Sequence, residues 1–182
     1  MKRILLPLLL IVCLFLSGCG DHAAEKRFTD FSEGLAAKET LSFCADMRVE
    51  YADHTLEFTL AYARDADGQT ITVQKPERIA GIRAHLAPGS NTLEFEGLIL
   101  DTGPLDPYGL TPMNALPKLV ELLSTGHVDT HWESDGFPVY RLILDDHLSA
   151  SVWFDPSDMI PTRAEIQSDE TVHIFCDLYN WS

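Results

Sequence analysis

The segment Leu41–Tyr51, with the sequence LSFCADMRVEY, decides the fold class because its apolar residues recur at every second position. The apolar positions hold leucine, phenylalanine, alanine, methionine, valine and tyrosine, and the positions between them hold serine, cysteine, aspartate, arginine and glutamate. This alternation is typical of a β-strand that places one face on a core and the other in solvent. The segment therefore predicts a long, half-buried strand of an antiparallel sheet.

The same period of two returns along most of the remaining chain. Asp65–Gly68 separates the next two strands as a hairpin turn and, although it begins like a calcium-binding loop, it lacks the glutamate that ends such a loop. Further turn signals separate the other strands. Beyond the first segment the pattern predicts strands at Leu56–Tyr62, Ile71–Val73, Ile79–Leu86, Leu93–Ile99, Val128–Trp132, Tyr140–Leu144, Leu148–Phe154, Thr162–Ile166 and Val172–Tyr179.

Two segments follow the helical period instead. The first, Glu25–Lys38, carries three apolar residues at helical spacing. The second has an apolar stripe within Leu116–Leu123, is capped by Asn114 or Thr111, and ends at Gly126. Strands and helices do not alternate, so the chain is predicted to be mainly β (α+β). We expect a strongly curved antiparallel sheet or incomplete β-barrel of about ten strands, with a leading helix and one inserted helix.

The N-terminal residues have a different pattern, typical of export. Lys2 and Arg3 precede an apolar run, Ile4–Leu16, whose length is that of a secretory signal and too short to cross a bilayer comfortably. The run ends in Leu16–Cys19, with the sequence LSGC, which resembles the lipobox at which bacterial prolipoproteins are acylated on cysteine and then cleaved. We therefore expect Cys19 to carry fatty acyl chains such as palmitate and to anchor the protein to a bacterial membrane, outside the cytoplasm.

This interpretation divides the chain into three parts. Residues 1–18 are expected to be the signal peptide, residues 19–27 the lipidated N-terminus and a short polar tether, and residues 28–182 one folded domain. A domain of this length can bury a core without disulfides or metals.

The charge excludes two classes of function. Asp and Glu number 28 against 13 Lys and Arg, which gives a net charge of −15, and removal of residues 1–18 takes away two bases and no acid. Such an acidic protein lacks the excess of basic residues that would attract nucleic acid or an anionic membrane surface. The hydrophobic share of 46 % is nevertheless that of a folded protein rather than of a disordered acidic tail.

From about Phe28 to Trp181, the order of elements resembles the LolA/LolB superfamily of lipoprotein carriers and receptors. The resemblance rests on the leading helix, the meandering strands, the mid-chain helix and several short segments. Four of the segments are Val152–Asp155, Ile160–Pro161, Arg163–Ile166 and Phe175–Leu178. Two segments, Pro76–Ile82 and Ala164–Ile166, are similar to lipid-anchored Gram-positive members, among them spore-germination lipoproteins that assist a peptidoglycan amidase. The resemblance implies binding rather than chemistry.

The resemblance also suggests a ligand cavity, because the family carrier holds acyl chains in the concavity of its open barrel. An inward row of large apolar side chains could line such a cavity, or could equally pack against the helices as an ordinary core. These candidates are Phe43, Met47, Phe58, Leu60, Phe95 and Leu142.

Two further sets of residues have alternative interpretations. Cys44 and Cys176 are the thiols that remain after signal cleavage and lipidation, and we expect a disulfide between them, although two buried, reduced cysteines are the alternative. Phe175, Tyr179 and Trp181 form an outward aromatic row on the last strand, which would anchor a partner or pack beneath the first helix.

No motif for catalysis or cofactor binding is present in the sequence. His127, Asp129 and His131 would share one face of a strand, but a third strong metal ligand is not visible near them, so polar surface is the interpretation. We expect no enzyme activity, cofactor or metal. The first hypothesis is a lipoprotein that binds an envelope protein, such as a cell-wall enzyme, and the second is a module that binds or transports lipid or acylated protein.

Overall fold

The structure is a computed structural model that describes residues 19–103, 109–168 and 172–182. The described residues form two α-helices, eleven β-strands and one 3₁₀ turn at Glu77–Ile79. The signal peptide expected at residues 1–18 lies outside the described residues. The elements are α1 (Cys19–Ala36), β1 (Leu41–Glu50), β2 (Thr55–Asp65), β3 (Gly68–Lys75), β4 (Arg83–Ala87), β5 (Ser90–Phe95), β6 (Leu98–Asp101), α2 (Ala115–Thr125), β7 (His127–Ser134), β8 (Phe137–Asp145), β9 (Leu148–Phe154), β10 (Pro161–Ser168) and β11 (Val172–Tyr179).

All eleven strands belong to one antiparallel sheet in the order β6-β5-β4-β3-β2-β1-β11-β10-β9-β8-β7. Two meanders, β1–β6 and β7–β11, are joined where the first strand pairs with the last, with Met47 opposite Cys176. In the described part of the chain, the end strands β6 and β7 are not paired with each other, so the sheet is open. The predicted fold class is confirmed.

Two strand predictions differ from the structure. The strand expected at Leu93–Ile99 is two strands, because Glu96 and Gly97 adopt positive φ angles of 50° and 80° and form the turn between β5 and β6. The strand expected from Ile79 begins at Arg83, since Glu77–Ile79 is a 3₁₀ turn.

The two faces of the sheet follow from the alternation in β1. One set of its residues is buried, with exposed fractions of 0 to 2 %, and we call this side the inner face; the opposite side, with the polar set, is the outer face. The helices cover the inner face: the ring of Phe28 lies 5.4 Å from that of Tyr140, and the ring of Phe31 lies 5.1 Å from that of Phe154. The buried residues of β1 are Leu41, Phe43, Ala45, Met47 and Val49.

Helix α1 is longer than expected at its start. It begins at Cys19 rather than at Glu25, so the segment expected as a short polar tether, residues 19–27, is helical. Its C-terminal end is held by Arg64 of β2, which donates hydrogen bonds of 3.1 Å to the backbone carbonyls of Leu35 and Lys38. A cation is favourable there because the last carbonyls of a helix lack partners within it.

Helix α2 begins and ends where the sequence indicates. Asn114 occupies the residue before it, and Gly126 follows it. The Asn114 side chain does not bond to the helix. Instead, its Oδ1 accepts a hydrogen bond of 2.7 Å from the Thr111 amide, and its Nδ2 donates one of 2.7 Å to the Gly109 carbonyl, which secures the preceding turn. The apolar stripe of α2 is fully buried, at Ala115, Leu116, Leu119, Val120, Leu122 and Leu123.

The disulfide predicted between Cys44 and Cys176 is not formed, and both cysteines are free. The strand register gives the reason. Cys44 lies opposite Tyr179 on the outer face, whereas Cys176 lies opposite Met47 on the inner face, so the two thiols are on opposite sides of the sheet. A disulfide needs side chains that point toward each other. Burial raises the pKa of the Cys176 thiol to about 12, which keeps it protonated and unreactive.

We expect iodoacetamide to modify both Cys44 and Cys176 when the protein is denatured without reduction, because no bond protects either thiol. In the folded protein, Cys44 should react and Cys176 should not, since Cys176 is 1 % exposed. Peptide mapping by mass spectrometry measures both. A cross-linked peptide that contains both residues would contradict the prediction.

Candidate functional site

Four of the six cavity candidates lie in a continuous hydrophobic core. Phe43, Met47, Leu60 and Leu142 are each at most 2 % exposed and pack with the buried residues of both helices. The ring of Phe43 stacks on Trp181, with centroids 4.1 Å apart, and lies 4.8 Å from the ring of Tyr62. Protein side chains therefore occupy the space around Phe43 that an acyl chain would need.

The other two cavity candidates lie at the margin of the core. Phe58 is half-buried and packs against the core next to Met47, its cross-strand partner. Phe95 is half-buried at the end of β5, outside the continuous core. The six residues therefore do not form one row around a common cavity.

The polar groups of the interior are satisfied. Burial raises the pKa of Tyr62 to about 12, and its hydroxyl donates a hydrogen bond of 2.9 Å to Gln69. Burial also raises the pKa of Tyr140, whose hydroxyl donates a hydrogen bond of 3.1 Å to the Ala24 carbonyl in α1. Among the described residues, no buried side-chain nitrogen or oxygen lacks a hydrogen-bond partner. The interior thus offers a polar ligand no free group.

The predicted aromatic row on the last strand is divided between the two faces. Phe175 and Tyr179 lie on the outer face, as expected. Trp181 does not lie in the outward row: its ring stacks on Phe43, and its Nε1 donates a hydrogen bond of 2.8 Å to the Pro161 carbonyl. It packs against the core, so for this residue packing and not exposure is the outcome. The chain leaves regular β structure after Tyr179, with Asn180 at a φ angle of 57°, which allows Trp181 to turn inward.

The outer face carries a groove of about 910 Å³ across β2, β1, β11 and β10, which we call the outer-face groove. One cross-strand row in it consists of Glu57, Arg48, Phe175 and Glu165, in that order from β2 to β10. The guanidinium of Arg48 lies over the Phe175 ring, 4.4 Å from its centroid, and pairs with Glu50.

The neighbouring row of the groove is an internal hydrogen-bond network. It consists of Thr59, Asp46, Asp177 and Arg163. The Thr59 hydroxyl donates a hydrogen bond of 2.7 Å to Asp46, and Arg163 Nε lies 3.3 Å from the Asp177 carboxylate. Tyr179 also donates to Asp46, at 3.3 Å. The sequence did not identify this groove, because strand register brings its residues together.

The two end strands of the sheet are very different. β6 exposes three consecutive large apolar side chains: Leu98 is 77 % exposed, Ile99 71 % and Leu100 64 %. β7 is mostly polar, although Trp132 is 41 % exposed, and it has a bulge between Val128 and Thr130. Charged residues and bulges protect a sheet edge against pairing with other chains, and β6 has neither along these three residues.

The bulge in β7 also overturns the expectation that His127, Asp129 and His131 share a face. His127 lies opposite Ile143 and His131 opposite Tyr140, which are on different faces of β8. Asp129 instead lies 3.7 Å from Arg141. Within the described ranges, no group of three or more His, Cys, Asp or Glu residues is placed to hold a metal ion.

Comparisons with known proteins concern the fold alone. No family model and no curated protein matches the sequence. The structure is similar to an uncharacterised conserved protein from Thermus thermophilus, with a TM-score of 0.51, 8 % identity and coverage of 86 % of this chain and 85 % of that chain. It is also similar to a LolA superfamily protein from Nitrosomonas europaea, with a TM-score of 0.48, 9 % identity and coverage of 87 % and 92 %.

A further similar structure is that of the CwlD amidase from Clostridioides difficile in complex with the GerS lipoprotein, with a TM-score of 0.41, 14 % identity and coverage of 86 % of this chain and 92 % of that chain. Among the residues that the structure describes, no helix has the length and apolar character needed to cross a membrane.

Met47→Ala should lower the free energy of unfolding by about 2–5 kcal/mol, because it leaves a void in a filled core. Leu98→Ala on the exposed edge is the matched control and should change it by less than about 0.5 kcal/mol. Chemical denaturation measures both. Wild-type protein should not bind a fluorescent fatty acid saturably, and saturable binding that changes in the Met47 variant would show that the interior is a ligand cavity.

Proposed function

We propose that the protein is a non-enzymatic bacterial lipoprotein, anchored through Cys19 outside the cytoplasm, whose folded domain binds a protein of the cell envelope along the β6 edge. The observation that carries the proposal is the exposure of Leu98, Ile99 and Leu100 on a strand at the end of the sheet. Isolated exposed apolar residues are common on protein surfaces, but an edge strand whose successive side chains are large, apolar and exposed is a template for pairing with another chain.

The position of this patch indicates how a partner would bind. One side of β6 pairs with β5, and the other side faces no strand in the described part of the chain. Since no described strand pairs with the backbone amides and carbonyls on that side, they can pair with an extended segment, which would become the next strand of the sheet. The opposite end strand, β7, has a bulge and charged side chains that oppose such pairing.

The side chains of β6 would add selectivity to this backbone pairing. Leu98 lies opposite Phe95 and Leu100 opposite Leu93, so these leucines extend the inner face. Ile99 lies opposite Glu94 on the outer face. A partner strand would therefore meet apolar side chains on both of its faces, which favours a segment that is buried on both sides in the complex.

The filled interior favours protein binding over the alternative, the binding or transport of acyl chains. Phe43 is held between Tyr62 and Trp181, and Leu60 and Leu142 are fully buried against the helices. An acyl chain would have to displace these contacts.

The anchor is inferred from the sequence. The LSGC motif at Leu16–Cys19 follows an apolar run of signal-peptide length, and the net charge of −15 would repel anionic headgroups, so a covalent lipid is the element that would hold the domain at a membrane. The sequence resemblance to lipoproteins that assist a peptidoglycan amidase makes a cell-wall enzyme the partner class to test first.

Cys19→Ser should abolish metabolic labelling of the protein with an alkyne fatty acid and leave an uncleaved precursor. The loss is expected because no other cysteine follows a lipobox-like sequence. Cys44→Ser is the control and should retain full labelling. Equal labelling of the Cys19 variant and the wild type would disprove the anchor.

A photo-crosslinking amino acid at position 98, in full-length protein made in its native host, should give one discrete adduct heavier than the chain. Ile99→Lys should reduce this adduct by about tenfold, because it places a charge in the apolar contact. Thr130→Lys introduces the same charge on the other edge strand and should leave the adduct unchanged.

Immunoblotting and mass spectrometry identify the adduct. Absence of an adduct, or equal yields from the two lysine variants, would contradict binding at β6. An adduct of twice the chain mass would identify a second copy of this protein and contradict a separate envelope partner.

A further inference from the structure

The outer-face groove has a charge distribution that the β6 proposal does not use. Two of its carboxylates are engaged, since Asp46 accepts from Thr59 and Asp177 pairs with Arg163. Three others, on Glu57, Glu77 and Glu165, have no hydrogen bond or ion pair among the described residues.

The cations of the groove are mostly occupied. Arg48 pairs with Glu50 and lies over Phe175, and Arg163 pairs with Asp177 and lies 5.9 Å from the centre of the Trp153 ring. Lys75 is the exception within the described lining. The groove therefore contains three uncompensated carboxylates and one uncompensated cation, which favours a positively charged occupant.

The cross-strand row fixes where these charges lie. Glu57 and Glu165 are at its two ends, on β2 and β10, with Arg48 and Phe175 between them on β1 and β11. Neighbouring strands are about 4.8 Å apart, so the two glutamates are separated by about 14 Å across the sheet. An extended polypeptide advances about 3.3 Å per residue, so residues i and i+4 span nearly the same distance.

Residues i, i+2 and i+4 of an extended segment point to the same side. The middle one of the three would lie above the Arg48 guanidinium, which is stacked on Phe175. A guanidinium plane favours an aromatic ring, through cation–π attraction and apolar contact.

We propose that the outer-face groove binds an extended peptide segment with Lys or Arg at positions i and i+4 and an aromatic residue at i+2, laid across β2, β1, β11 and β10. The two cations pair with Glu57 and Glu165, and the aromatic residue stacks on Arg48. The groove volume of about 910 Å³ is in the range of sites that take short ligands. This site does not depend on β6, from which β2 is separated by three strands.

The probe is a fluorescent peptide with the sequence Lys-Ser-Phe-Ser-Lys, tested by fluorescence anisotropy with the full chain purified in detergent. Wild-type protein should bind it saturably. Glu57→Gln combined with Glu165→Gln should weaken binding by about fivefold or more, because two ion pairs are lost.

The matched control is Glu121→Gln combined with Glu133→Gln, which removes the same charge from two exposed sites on α2 and β7. β7 lies three strands from β10, the nearer margin of the groove, so Glu133 is about 14 Å from it across the sheet. This is longer than the Debye length of about 8–10 Å at physiological ionic strength, so binding should change by less than about twofold. A second control is the peptide Lys-Lys-Phe-Ser-Ser, which has the same charge at the wrong spacing and should bind more weakly than the probe.

Three results would overturn the proposal. They are the absence of saturable binding, an equal loss in both variant proteins, and equal affinity for both peptides; the last two would indicate attraction by net charge alone. Replacing both groove glutamates by lysine should transfer binding to the peptide Glu-Ser-Phe-Ser-Glu, which distinguishes lost pairing from misfolding. Ile99→Lys should not affect peptide binding, so failure of the β6 proposal and failure of this one are separate results.

Discussion

The pairing of β1 with β11 is the interaction on which the rest of the structure depends. Each meander is a series of local hairpins, and within the described residues this one pair of strands makes the two into a single sheet. Its formation requires the closure of a loop that contains most of the chain, which costs entropy that local hairpins do not. The buried pairs Ala45–Leu178, Met47–Cys176 and Val49–Ile174 supply the compensating burial. The outer-face groove is centred on the same seam, since Arg48 and Phe175 are partners across it.

The helices determine which surfaces remain for binding. α1 and α2 fill the inner face with aromatic and aliphatic side chains, and the Arg64 hydrogen bonds secure the end of α1 against β2. A sheet of the same topology with its inner face uncovered would present a wide apolar hollow. Here the inner face is part of the core, and both proposed binding sites lie elsewhere, on the outer face and at the β6 edge.

The sequence predicted what depends on local periodicity and missed what depends on register. Alternation within Leu41–Tyr51 identified β1 and its buried side, and the helical stripe identified α2. The two-residue turn at Glu96 and Gly97 was missed because apolar residues flank it on both sides. A disulfide was expected because Cys44 and Cys176 are the thiols that remain after signal cleavage and lipidation, but the strand register places them on opposite faces of the sheet. Trp181 was assigned to the outer row by extending the period past Asn180, where the backbone changes direction.

Helix α1 has a mechanical consequence if Cys19, its first residue, carries the proposed lipid anchor. The Tyr140 hydroxyl holds the helix to the sheet as early as Ala24, about 7.5 Å along the axis from Cys19. A flexible leader of the same length would let the domain rotate freely relative to the bilayer. A helix that continues into the portion docked on the sheet is instead a short, rigid spacer. With acyl chains on Cys19, the domain would stand close to the lipid headgroups in a narrow range of tilts. A partner in the same membrane would then meet β6 within a restricted range of angles and of distances from the bilayer. The diffusion by which the partner reaches β6 would be confined nearly to two dimensions.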